Sequence, residues 1–165
     1  MMSRRDTLLG VGAVAGLLAG VRGMFSIPPA HAARAYEVVH SPAEWQKLLQ
    51  PAQYNVLRQA GTERPGSSPL NKEKRAGVFS CAGCALPVFS SATKFESGTG
   101  WPSFWKPLDK AVVEESDTTL LMKRTEVLCR RCGGHLGHVF DDGPQPTGLR
   151  YCMNGVAMNF TAASS

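Results

Sequence analysis

The spacing of apolar residues changes character several times along the chain. An uncharged apolar run covers residues 7–21. Further on, Ser41-Pro42-Ala43-Glu44 predicts a helix start. Ser41 can cap it, Pro42 suits the first helical position, and Glu44 can reach back as in a capping box. Trp45, Leu48 and Leu49 then fall on one helical face. Pro51 breaks this helix and opens a second, carrying Tyr54, Val56 and Leu57 and ending by Gly61. Residues 62–71 are polar and rich in Pro, Gly and Ser, which predicts a loop. Beyond residue 77 the apolar segments become short and turn-bounded. Strands are predicted at 77–80, 86–89, 111–116, 120–128, 138–140 and 151–160. Asp117 with Thr118 suits a hairpin turn. The expected fold is mostly β, two small antiparallel sheets with a short helical N-terminal segment.

Composition agrees with one such domain. The chain has 165 residues, 43% of them apolar, which is enough for a core and excludes wholesale disorder. Its 17 Gly and 11 Pro argue against a helical bundle. The formal charge of +5 comes from scattered residues, with only short basic clusters such as Arg130-Arg131 outside the N-terminal segment. A nucleic-acid surface needs a broader basic stripe, so none is expected.

The first 32 residues look like a leader rather than part of the fold. Ser3-Arg4-Arg5 precedes the apolar run, and Pro28-Pro29-Ala30-His31-Ala32 supplies a small-residue cleavage site. Paired arginines before a weakly hydrophobic run resemble a twin-arginine export signal, with Thr7 where that pattern usually has Phe. The expectation is cleavage after Ala32, a domain at residues 33–165, and a periplasmic location. The alternative is a retained membrane anchor, for which the Gly-broken run is short. Removing residues 1–32 leaves a balance of +3.

Five cysteines narrow the chemistry. Cys81-Ala82-Gly83-Cys84 and Cys129-Arg130-Arg131-Cys132 are two Cys-x2-Cys turns with 44 residues between them. Each turn aims two thiolates to one side, and two such turns make a tetrahedral four-thiolate zinc site. Four thiolates fill the tetrahedron, so this zinc would be structural. The competing reading is a pair of disulfides in an oxidising compartment. Cys152 is left over. A strand period of two puts Arg150, Cys152 and Asn154 on one face, and Arg150 could favour a thiolate. Tyr151, Met153 and Val156 suit the packed side. His135 and His138 are candidate acids or bases for a cysteine, with ligation of a second metal as the alternative. Trp101, between Gly100 and Pro102, suits a pocket wall for an apolar group, whereas Phe104 and Trp105 fit a core equally well.

These segments together resemble the B-type methionine sulfoxide reductases. The resemblance rests on Cys81-x2-Cys84, Phe95-x-Ser97-Gly98-x-Gly100-Trp101-Pro102-Ser103-Phe104, Cys129-x2-Cys132-x2-His135-Leu136-Gly137-His138-Val139-Phe140-x-Asp142-Gly143-Pro144 and Gly148-Leu149-Arg150-Tyr151-Cys152-x-Asn154. It spans about Trp45 to Phe160. The resemblance implies an all-β fold of two antiparallel sheets and reduction of the R epimer of methionine sulfoxide, mostly in proteins. It implies structural zinc in many members. By position it makes Cys152 the nucleophile, His135 and His138 the proton donors, and Asp142 the acid supporting them. It also makes Trp101 the receiver of the substrate methyl, and Arg150 and Asn154 polar residues lining the site. Many members carry a resolving cysteine where this chain has Thr99. The expected reductant is therefore an external thiol, from a thioredoxin-like protein or a small molecule. A monomer is expected. Two other classes compete: a zinc-ribbon interaction module without catalysis, and a thiol–disulfide oxidoreductase using one Cys-x2-Cys pair.

Overall fold

The computed structural model describes residues 35–117 and 124–164. The leader-like residues 1–32 and Thr118 of the expected hairpin turn lie outside them. Asp117 itself is the last residue of a strand rather than a turn residue.

Two short helices come first, α1 (Pro42–Leu48) and α2 (Pro51–Gln59). The capping box at α1 is present: Ser41 Oγ accepts from the Glu44 amide at 3.3 Å, and the Ser41 amide donates to Glu44 Oε2 at 2.8 Å. Trp45, Leu49, Val56 and Leu57 are buried. Leu48 departs from the expected apolar face and is 61% exposed. Trp45 and Leu49, four apart, share a stripe that a helix this short can turn fully inward.

Nine strands follow among the described residues: β1 (Gly77–Cys81), β2 (Pro87–Ser90), β3 (Lys94–Phe95), β4 (Ser103–Phe104), β5 (Val112–Asp117), β6 (Arg124–Cys129), β7 (His135–Phe140), β8 (Arg150–Met153) and β9 (Met158–Ala162). They form a three-stranded sheet, β2-β1-β9, and a six-stranded sheet, β3-β4-β8-β7-β6-β5. Every pairing is antiparallel. The stretch expected as one strand at 151–160 is two, β8 and β9, which belong to different sheets. A 3-10 turn at Gly155–Ala157 separates them. β3 and β4 were not foreseen, being only two residues each.

The core lies where the sheets meet. Phe104 of β4 stacks on Phe89 of β2 with ring centres 4.4 Å apart, and meets Phe79 of β1 edge-on at 5.0 Å. All three rings are fully buried. Truncating one to alanine costs about 3–5 kcal/mol in such a core. The sequence left Phe104 open between core and pocket; it is core. No helix among the described residues is long and apolar enough to cross a membrane.

Candidate active site and metal centre

Strand register assembles the first site. Cys152 on β8 is directly opposite Ser103 on β4 and His138 on β7. These strands are neighbours, so the thiol stands between a hydroxyl and an imidazole. Cys152, His138, Trp101, Phe140, Arg124, Thr62, Gly137 and Asn154 line one cleft of about 160 Å³. Gly137 is needed there: a Cβ would come within 2.2 Å of the Cys152 carbonyl oxygen. The thiol also has Thr99 Oγ1 at 3.7 Å.

A strand period of two would send His135 and His138 to opposite faces. Instead their rings lie 5.3 Å apart. β7 pairs with β6 as Val127 with Gly137 and then Leu128 with His135, so Leu136 is an extra residue. Such a bulge re-aims the side chains around it. Asn154 pins it, because the Leu136 carbonyl accepts from the Asn154 amide at 2.8 Å and from its side-chain nitrogen at 3.1 Å. His135 is 3% exposed and lines a second recess of about 240 Å³ behind His138.

Each histidine has its own carboxylate. His135 Nδ1 is 2.5 Å from Glu126 Oε1, and His138 Nε2 is 2.9 Å from Asp117 Oδ2. Arg124 donates to that same Asp117 oxygen at 2.7 Å. Burial lowers the pKa of His138 from its usual value, and the Asp117 carboxylate opposes this. Arg150 makes a two-pronged contact with Asp142, both bonds 2.8 Å, and its guanidinium lies 4.4 Å above the Phe140 ring. The Arg150 bonds lower the pKa of Asp142. The pKa of Arg150 is raised first by Asp142 and further by Cys152.

Glu63 locks the rim. Its carboxylate accepts from the amides of Gly155 at 2.6 Å and Val156 at 3.0 Å. Its amide donates to Asn154 Oδ1 at 2.9 Å, and its carbonyl accepts from the Trp101 indole at 3.1 Å. A larger, mostly apolar cleft of about 460 Å³ lies on the other side of Glu63, against α2 and β9. It contains neither cysteine nor histidine.

The second site is the cysteine cluster. The turn after β1 and the turn between β6 and β7 bring Cys81, Cys84, Cys129 and Cys132 together, with all sulfurs within 4.8 Å of one another. The five cysteines are unbridged. Close sulfur contacts run across the two turns, Cys81 to Cys132 at 3.7 Å and Cys84 to Cys129 at 3.5 Å. Without a cation such a cluster cannot ionise fully. Hydrogen bonds from neighbouring thiols hold Cys84 and Cys129 low, while hydrogen bonding to Cys129 pushes Cys81 and Cys132 up. A metal ion would let all four bind as thiolates. Leu57 of α2 covers the cluster so closely that a Cβ on Gly134 would approach its Cδ2 to 2.9 Å.

Comparison with known proteins identifies the fold's family. The SelR domain model matches residues 49–162. A peptide methionine sulfoxide reductase MsrB of Methanosarcina barkeri is 57% identical over 124 residues, covering 74% of this chain and 87% of the relative. The MsrB of Leptospira interrogans is 52% identical over 126 residues, covering 76% and 96%. The MsrB of Pseudomonas putida strain W619 is 57% identical over 118 residues, covering 71% and 89%. The chain belongs to the MsrB family.

Measured against the MsrB resemblance, most anticipated residues converge. Cys152, His138, Trp101 and Asn154 line the cleft, and Arg150 follows Cys152's face of β8. Asp142 differs from expectation. Its side chain is 60% exposed and bound to Arg150, and the carboxylates at the histidines are Asp117 and Glu126. Asn154 lines the cleft with both ends of its amide engaged with backbone. Val156, expected on the packed side with Tyr151 and Met153, is only half-buried and lines the larger cleft. Glu63, Asp117, Arg124 and Glu126 went unforeseen. Glu63 sits in a stretch that reads as plain loop, Asp117 in one that reads as a hairpin turn, and Arg124 and Glu126 are ordinary strand residues until the sheet registers align them.

Proposed function

We propose that this protein reduces the R epimer of methionine sulfoxide in peptides and proteins, with Cys152 as the nucleophile. The observation that carries this reading is the surroundings of Cys152. A lone thiol outside the metal cluster faces an imidazole across the strand pair, and an indole shares the cleft. A zinc-ribbon module needs none of these. A dithiol oxidoreductase would need a partner thiol, and both Cys-x2-Cys pairs are taken up in the cluster.

In the proposed reaction the Cys152 sulfur attacks the sulfoxide sulfur. The substrate S–O bond breaks, and the protonated oxygen ends on the Cys152 sulfur as the bond between the two sulfurs is released. Cys152 is thereby oxidised by two electrons to a sulfenic acid, and the substrate, reduced by two electrons, leaves as methionine. His138 supplies a proton to the departing oxygen, and His135 stands behind it. Trp101 receives the substrate methyl. It enters from the β4 side and His138 from the β7 side, so the two epimers at sulfur would meet different walls. Thr99 occupies the place of a resolving cysteine, so an external thiol completes the cycle. Two thiols reduce the sulfenic acid, forming one disulfide and one water. A thioredoxin-like protein or a small thiol fits this role.

Cys81, Cys84, Cys129 and Cys132 would hold zinc, since an all-thiolate tetrahedral donor set suits that ion. It leaves no open position for substrate, so its contribution is structural. The leader pattern of residues 1–32 supports export to the periplasm. A reporter fused to residues 1–32 that stayed in the cytoplasm would overturn that part.

The test is turnover of a methionine sulfoxide peptide, offered as separated R and S epimers with dithiothreitol. Reduction of the R epimer alone, lost in Cys152→Ser, is expected. Reduction of neither epimer by metal-loaded protein would overturn the proposal.

A further inference from the structure

Three hydroxyls form an unbroken line to Cys152. Ser103 Oγ, fully buried, lies 3.1 Å from the Trp101 carbonyl oxygen and 2.7 Å from Ser97 Oγ. Ser97 Oγ lies 2.8 Å from Thr99 Oγ1, and Thr99 Oγ1 lies 3.7 Å from Cys152 Sγ. A hydroxyl has one proton to donate and two lone pairs. Each bond therefore dictates the direction of the next. A carbonyl only accepts, so Ser103 donates to Trp101. Ser97 must then donate to Ser103, and Thr99 to Ser97. The proton left for the last contact is that of the Cys152 thiol, which donates to Thr99.

A thiolate reverses the demand, because its sulfur can only accept. Rotating the three hydroxyl protons turns the whole line around. Thr99 then donates to Cys152, Ser97 to Thr99, and Ser103 to Ser97. The Trp101 carbonyl gives up one bond. The Thr99 amide, 3.4 Å from Ser97 Oγ, can donate there in either state. No heavy atom has to move.

We propose that Thr99 is a catalytic residue, serving Cys152 as acceptor when it is a thiol and donor when it is a thiolate. Ser97 and Ser103 are positioning residues that make the reversal available. This rests on Cys152 being the nucleophile, and it gives the residue in the resolving position a task of its own. A hydrogen bond donated to the charged sulfur favours the nucleophilic form. The ionisable groups around Cys152 are Arg150 on its own strand, His138 opposite on β7 and Arg124 across the cleft. The strand on its other side, β4, faces it with Ser103 rather than a charge.

The test measures the pH dependence of Cys152 alkylation by iodoacetamide, read by mass spectrometry of the peptide bearing Cys152. It uses the metal-loaded full chain. Thr99→Val should raise the alkylation midpoint by about one pH unit, or ~10-fold less thiolate below it. Ser97→Ala leaves Thr99 in place and takes two hydroxyl bonds from the thiol arrangement but a net one from the thiolate arrangement, where Ser103 returns to the Trp101 carbonyl. It should therefore shift the midpoint the opposite way by less. Thr99→Ser should keep the wild-type midpoint. Equal midpoints in wild type and Thr99→Val would overturn the proposal. So would a Ser97→Ala midpoint equal to wild type, which would deny the relay, or a Thr99→Ser midpoint matching Thr99→Val. Ser97→Ala and Thr99→Ser keep the test decisive if Thr99→Val does not fold. Alkylation needs no sulfoxide, so its outcome is independent of whether the protein reduces methionine sulfoxide.

Discussion

Glu63→Ala removes one carboxylate and should loosen two things together. The Gly155 and Val156 amides lose their acceptor at the 3-10 turn that follows β8. Bonds from backbone amides to a carboxylate contribute about 1.5–3 kcal/mol each when well shielded. Glu63 is half-buried and water can refill part of the gap. About 1 kcal/mol for each bond, or about 2 kcal/mol in all, is therefore expected. With a urea slope of about 1.5 kcal/mol/M, the unfolding midpoint should drop by roughly 1.3 M. Glu63→Gln keeps one acceptor but points an amide donor at the second amide, so about half the loss is expected. The Glu63 carbonyl also fixes the Trp101 indole. Loosening it should raise KM for a sulfoxide peptide several-fold while kcat stays within about twofold, the pattern of lost ground-state binding. The assays are urea unfolding followed by tryptophan fluorescence, and steady-state turnover with dithiothreitol. A midpoint within about 0.3 M of wild type together with an unchanged KM would refute the view of Glu63 as the clamp of this rim.

The remaining predictions concern the thiols and the histidine. Thr99→Cys should create a resolving thiol: 3.7 Å must close to the ~2.05 Å of a disulfide. After one equivalent of sulfoxide, dimedone should label wild-type Cys152 but not this variant. His138 has a folded pKa below its unfolded value of about 6.5. Its burial therefore contributes stability that is complete above that pH and declines as pH falls through the window below it. A urea midpoint that rose on acidification through that window, in wild type but not in His138→Gln, would contradict this. Asp117→Asn removes the carboxylate that opposes the shift, so the kcat profile should lose its protonated His138 at a lower pH than wild type. Stripping the metal with a strong chelator, or Cys129→Ser, should lower Tm by about 10 °C or more, because the cluster ties the turn after β1 to the β6–β7 turn. Calorimetry of the two forms checks this.

The sequence alone settled whatever depends on near neighbours. The Ser41–Glu44 box and Pro51 mark the helix starts because a cap is satisfied within one turn. Two Cys-x2-Cys turns declare a four-thiol cluster because their spacing constrains the sulfurs directly. Cys152 stands out because it is the cysteine without a counterpart. The tertiary structure decided what depends on register. One extra residue at Leu136 brings His135 and His138 together, which no periodicity rule anticipates. β4, two residues long, owes its existence to β3 and β8 on either side, and thereby delivers Ser103 to Cys152. The partners of Asp142 and Asn154 are not readable from the sequence. Arg150 claims Asp142, and the Leu136 and Glu63 backbones claim Asn154. Glu63 gains its importance from residues about 90 positions away. Propensities and spacings are local quantities. Hydrogen-bond partners across a sheet are fixed only when distant strands align, and that alignment is set by packing of the whole core.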